Sequence, residues 1–165
     1  MKKIVYTRPS DGGVSLVIPA SKSDIEKVKG PMTEEEYEAF VKERSIPHDA
    51  IKPRDIDDSD IPDDRGTRDA WVDVTAEERI DVDCSKARDI RLAHLRKMRN
   101  IRLAESDVEM TRALEDDDKV KIAELKVERK LLRDATEAIK ALDVAGKYND
   151  KELLDEMKLM SEIYG

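Results

Sequence analysis

Val120-Lys-Ile-Ala-Glu-Leu-Lys-Val-Glu-Arg-Lys-Leu-Leu-Arg-Asp-Ala-Thr-Glu-Ala-Ile-Lys-Ala-Leu142 holds neither glycine nor proline, and its apolar residues recur every three or four positions. That period matches the turn of an α-helix rather than the alternation of a strand. One stripe runs through Val120, Ala123, Val127, Leu131, Ala135, Ala138 and Leu142, and Leu125, Leu132 and Ile139 flank it at heptad spacing. Upstream, from about Ser85, the chain is again free of glycine and proline. There Ala87, Ile90, His94, Met98, Ile101, Val108 and Leu114 share roughly one face. Asp116-Asp117-Asp118 lies between the two stretches and suits a turn. The pattern predicts an antiparallel helical hairpin with a coiled-coil-like seam between those two stripes. Gly146 is expected to close it, and Asn149, with Glu152 three residues on, to cap a last helix carrying Leu153, Met157, Met160 and Tyr164.

The first half reads differently. Lys3–Arg8 and Val14–Ile18 are rich in β-branched residues and flank the turn formers Pro9-Ser10-Asp11-Gly12-Gly13, which predicts a β-hairpin. A lone hairpin is marginal in water and needs something to pack on. Thr33-Glu34-Glu35-Glu36 is a capping box, Met32 can staple onto Tyr37, and Tyr37, Phe40 and Val41 form one apolar face of a short helix that Pro47 follows. Residues 49–64 hold seven aspartates; starting at Asp55, an EF-hand pattern would lack its central glycine and final glutamate, so a solvated acidic connector is expected, with one edge strand over 50–56. Trp71 is expected to anchor this unit, and Thr75-Ala76-Glu77-Glu78 to cap a short turn. The predicted class is α+β, mainly α: a small unit over 1–84 and a helical hairpin with a C-terminal helix over 85–165.

Composition narrows the function. Of 165 residues, 42% are charged, 39% apolar and only 4% aromatic, a mixture that fits either disorder or long helices with a narrow apolar stripe; the periodicity selects helices. Residues 1–84 carry 13 basic and 21 acidic groups, and residues 85–165 carry 18 of each. The acidic first half argues against nucleic acid, whose phosphates need clustered cations. Apolar runs such as Leu16-Val17-Ile18 are far too short to span a membrane, and the N-terminus turns polar at Thr7-Arg8 before any signal-peptide core forms. One cysteine, Cys84, makes no internal disulfide, so a reducing compartment is expected. His48 and His94 lie in different regions, and no nucleophile elbow, HExxH or glycine-rich phosphate loop is present. No catalytic residue, cofactor or metal is expected; the chain reads as a protein that binds proteins.

Residues 86–102 hold seven basic groups against Asp89, and residues 105–118 seven acidic groups against Arg112. Most of this charge is expected to pair with the second helix, with Lys119, Lys121 and Lys126 across the turn from the acidic stretch. Arg91, Leu95, Arg99, Leu103, Leu125, Leu132, Ile139 and Trp71 are the candidate partner-binding residues. The leucines lie off the predicted seam, and exposed leucine rows are costly in water. A second copy or another protein is therefore expected to cover them.

Arg91-Leu-Ala-His-Leu-Arg-Lys-Met-Arg-Asn-Ile-Arg-Leu-Ala-Glu-Ser-Asp107, followed by Glu128-Arg-Lys-Leu-Leu-Arg-Asp134, resembles bacteriophage tail assembly chaperone and tail-fibre assembly proteins. The resemblance rests on Lys97, Arg99, Asn100, Leu103, Ala104, Ser106 and Asp107, then Arg129, Leu132, Arg133 and Asp134. Val108 and Glu128 stand where that pattern has aromatics. Lys3–Pro9 with Gly12-Gly13-Val14, and Asp64-Arg65 with Arg68-Asp-Ala-Trp71, also look like small phage proteins encoded near tail genes. The resemblance implies a tail or tail-fibre protein as partner, a role as assembly chaperone or small virion accessory subunit, and a place in the host cytoplasm during assembly or in the virion tail. The other readings are a head-tail connector or capsid decoration protein and, behind it, a nucleic-acid-binding regulator using residues 86–102.

Overall fold

The computed structural model describes residues 2–74 and 79–162 and divides into two compact units, one ending at Val82 and one starting at Asp83. The expected cap over Thr75-Ala76-Glu77-Glu78 and the placement of Tyr164 lie outside the described residues. The fold is α+β and mainly α.

In the first unit β1 (Lys3–Thr7) pairs antiparallel with β2 (Val14–Val17), as the β-branched runs predict. The turn closes through Arg8 N–H donating to Gly13 O at 2.8 Å, with Gly12 at φ +69°, a conformation open to glycine at little cost. Asp11 braces it by accepting both the Arg8 guanidinium (2.9 and 2.8 Å) and the Gly13 amide. β3 (Ile51–Ile56) takes the other side of β1, giving the order β2-β1-β3. Pro53, which has no N–H to give, is tolerated there because β3 is an edge.

Two helices follow β2. α1 (Lys22–Lys29), capped by Ser21, carries too little apolar period to be read from sequence: of its two apolar residues, Val28 is fully outside. α2 (Glu34–Ser45) starts at the predicted box, with Thr33 and Glu36 each bonding the other's backbone amide. Ile4 from β1 and Tyr37 and Val41 from α2 form a core that Val17, Ile25, Met32 and Ile46 extend. Tyr37 keeps its hydroxyl satisfied by donating to Ala20 O at 2.7 Å. Phe40 does not join this face; it is half-buried under Lys29 and Arg44, which sit 5.9 and 5.6 Å from its ring centre.

Residues 49–64 are part of the unit rather than a bare connector. Besides β3 they contain a 3₁₀ turn at Asp58–Asp60, and Asp57 and Asp58 hold Lys2 and Lys3 at 2.9 and 2.7 Å. A second 3₁₀ segment, Arg65–Ala70, leads into β4 (Trp71–Val74), which pairs antiparallel with β5 (Arg79–Val82). This second hairpin is too short for its alternation to stand out in sequence. Trp71 is 1% exposed, with Arg65 stacked 5.2 Å from its ring, so it is an anchor of the unit as expected. Asp73 ties β4 to the first sheet: Arg54 of β3 reaches it at 2.7 Å and Thr7 of β1 donates to it at 3.3 Å.

The second unit is three helices: α3 (Cys84–Glu115), α4 (Lys119–Ala141) and α5 (Lys151–Glu162). At 1.5 Å per residue α3 is about 48 Å long. Asp83 caps it by accepting from the Ser85 and Lys86 amides. Asp116–Asp118 turns the chain: Asp118 N–H reaches Ala113 O (2.9 Å) and Asp117 N–H reaches Leu114 O (3.4 Å), with Asp117 left-handed at φ +52°. This is a Schellman ending, with aspartate where glycine is usual. Asp118 then caps α4 through the Lys121 amide. α4 stops at Ala141, before Gly146, which sits in the following turn at φ +68°. α5 is capped by Asp150, not Asn149; Asn149 is itself left-handed at φ +49°.

The seam is not the predicted one. The buried row of α4 is Leu125, Leu132, Thr136 and Ile139, and that of α3 includes Leu92, Leu95, Ser106 and Ala113. The stripes expected there lie mostly outside: Ile101, Val108 and Leu114 on α3 and Val120, Val127 and Leu131 on α4 are all exposed. α4 carries two apolar rows, and five of the seven residues in the rejected row are small or on its ends. Burying leucine and isoleucine removes more apolar area than burying alanine, so the bulkier row wins.

Candidate protein-interaction surface

The seam sorts the candidate residues. Leu95, Leu125 and Ile139 are fully buried and Leu132 and Arg91 nearly so; Leu103 and Arg99 are half-buried at its margin. Leu92, Leu95 and Ile139 cluster, with Ala135 and with Met160 of α5. The leucine rows that were expected to need a second chain are thus covered inside this unit, and Trp71 inside the other. Neither is a free surface. Of the eight residues, only Arg99 and Leu103 reach the outside.

Charge lines the two margins of the seam unequally. On one margin Arg102 donates from Nε to Glu128 at 2.7 Å and from Nη1 to Glu109 at 2.9 Å and to Glu105 at 3.4 Å, and Lys121 reaches Glu109 at 3.5 Å. The bond to Glu128 holds the Arg102 guanidinium above its ordinary pKa, and Arg102 in turn holds the Glu109 carboxyl below its own. Of the three lysines expected to pair with the acidic stretch across the turn, Lys121 does so, and Lys119 and Lys126 do not among the described residues.

On the other margin, Arg99, Leu103 and Asp107 step by four along α3, and Asp107 meets Arg129 of α4 at 2.6 Å. That pair joins the segments 91–107 and 128–134. Ser106 beside it is wholly buried and its hydroxyl finds no partner among the described residues; a side chain this small lets the helices approach closely. Next to Arg129 stand Lys126, Lys130 and Arg133. These three and Arg99 have no acidic partner among the described residues, and only Arg99 bonds a side chain, Asn100. Lys126, expected to pair across the turn, has no acidic partner among the described residues, and Lys130 and Arg133 belong to no basic face expected from the sequence. Their three- and four-residue spacing was the available signal.

The third feature is apolar. Val120, Val127 and Leu131, 71%, 62% and 56% exposed, lie on the side of α4 away from its buried row, and Ile101 and Val108 are exposed on α3. Among the described residues no group of three or more His, Cys, Asp or Glu side chains is placed to hold a metal ion, and no helix is long and apolar enough to cross a membrane. Cys84 is buried, and desolvation raises its thiol pKa above the usual value, which disfavours the nucleophilic thiolate.

No protein-family model, no curated protein and no solved structure matches this chain.

Proposed function

We propose that this chain is a non-enzymatic phage tail-associated protein that binds tail or tail-fibre proteins, as an assembly chaperone or a small accessory subunit of the virion. The phage assignment rests on the resemblance of residues 91–107 and 128–134. The binding role rests on one observation, the row Val120, Val127 and Leu131 left exposed on a helix whose other side already fills the core. Apolar rows of this kind are protein-contact surfaces more readily than enzyme sites.

The test is co-purification of the chain with the tail and fibre proteins of a phage that encodes it. Val127→Glu with Leu131→Glu should abolish capture and leave the helical signal in circular dichroism unchanged. Undiminished capture by this variant, or no capture of any tail or fibre protein by the native chain, overturns the reading. Mass spectrometry of purified virions separates its two forms, since a chaperone is absent from the particle and an accessory subunit is present. A head-tail connector or decoration protein would instead co-purify with capsid proteins.

A further inference from the structure

The second unit has a charge distribution that complements itself. Residues 85–165 hold equal numbers of basic and acidic groups, so two copies meet no net repulsion from this part of the chain. The groups are nevertheless segregated. Arg99 and Leu103 of α3 and Lys126, Lys130 and Arg133 of α4 make a margin with a half-buried leucine and an excess of cations; Asp134 and Glu137 share it, and Lys140 takes up Glu137 at 2.6 Å. Ala135 packs in the cluster that Met160 of α5 joins. At about 100° per residue, Lys126, Lys130 and Arg133 stand on nearly the opposite side of α4 from Ala135, away from α5.

α5 itself is acidic on the outside. It buries Leu153, Met157 and Ser161, and on the opposite side Asp155, Leu159 and Glu162 step by four and three, with Glu152, Glu156, Lys151 and Lys158 beside them, all exposed, so four carboxylates there outnumber two lysines. Leu159 is 64% exposed at the centre of this face. One side of the unit therefore presents a leucine on a face with net negative charge, and the other a leucine beside an excess of cations.

We propose that a second copy of this chain docks head to tail, the outer face of its α5 seated on the basic margin of α3 and α4. A two-fold dimer would set each face against its own kind and meet like charges. The complementary arrangement is heterologous: each copy uses one face to receive and the other to give, so copies add in a ring or a filament. The contact is charged and at the surface, so salt weakens it. This inference stands apart from the tail assignment, because it uses no partner but the chain itself.

Sedimentation velocity of the full chain tests it. At about 50 mM salt the native chain should associate with rising concentration, and at about 0.5 M it should be monomeric. Arg99→Glu with Arg133→Glu should be monomeric at low salt, and so should Glu152→Lys with Asp155→Lys. Mixed, the two variants should associate again at low salt, because each keeps the face that the other lost and the two reversed faces complement each other as well. Arg133, Glu152 and Asp155 are exposed and Arg99 is half-buried, so helicity should hold; if a reversal unfolds the chain, Arg99→Gln with Arg133→Gln replaces it, with association weakened rather than abolished. A native chain that is monomeric at low salt, association that salt does not weaken, or variants that fail to combine would each overturn the proposal.

Discussion

The two units of this protein solve the burial problem in opposite ways. The first gathers short elements from distant parts of the chain: β1 and α2 meet around Ile4, Tyr37 and Val41, with Val17 of β2 and Ile25 of α1 packed against them, and Asp73 on β4 is tied to Thr7 and Arg54. Its helix α2 has a single apolar side, so there is one way to pack it, and the central strand β1 buries both faces, with Ile4 and Val5 each inside. The second unit uses long helices joined by short turns, and α4 has apolar residues on two sides. Its helices are easier to recognise than any element of the first unit, but their orientation is harder. A strong local signal for an element thus says little about which side of that element ends up inside.

The largest expected effect would test the first half of this contrast. Trp71→Ala should destabilise the first unit by about 3–5 kcal/mol, measured by chemical denaturation followed through its tyrosines, while the helical signal of the second unit persists. Trp71→Phe should cost clearly less, because the indole Nε1 is buried without a hydrogen bond among the described residues and its loss leaves nothing unpaired. Equal costs for the two variants would mean that the indole N–H has a partner.

Next come two adjacent leucines that set the two rows of α4 against each other. Leu132→Ala should cost about 2–5 kcal/mol, since Leu132 is 2% exposed. Leu131→Ala, one residue away and 56% exposed, should stay within about 0.5 kcal/mol. Thermal unfolding of both variants decides between them, and the reverse order would restore the seam expected from periodicity alone.

A smaller effect, of opposite sign, is expected at the hairpin turn. Asp117 holds a left-handed conformation that glycine adopts freely, so Asp117→Gly should stabilise the second unit by up to about 1 kcal/mol. A destabilised variant would mean that the Asp117 side chain contributes more than its backbone strain costs.

The smallest concerns the turn of the first hairpin. The Arg8 guanidinium holds the Asp11 carboxyl at about 2, below its ordinary 3.8. A depressed carboxyl stabilises the fold above its unfolded pKa and loses that contribution as pH falls toward the folded value. The brace should therefore be intact at neutral pH and lost between about pH 4 and pH 2. Carbon-detected NMR titration of Asp11 should give a midpoint near 2, and Arg8→Gln should move it back toward 3.8.

What was legible in the sequence was whatever depends on neighbours along the chain. The Pro9–Gly13 turn, the Thr33–Glu36 box, the long helices of the second half and the Asp116–Asp118 turn each follow from backbone chemistry over a few residues, and each stands where the sequence placed it. Short elements with weak patterns, α1 and the β4–β5 hairpin, did not announce themselves. The candidate surface was the least legible part. Leu95, Leu125, Leu132 and Ile139 read as surplus apolar residues and proved to be the seam, while the residues read as the seam are outside. Tertiary structure alone decided this, because two rows on one helix compete for the same partner helix. The winner is set by how much apolar area the whole bundle removes from water, and no local window contains that quantity.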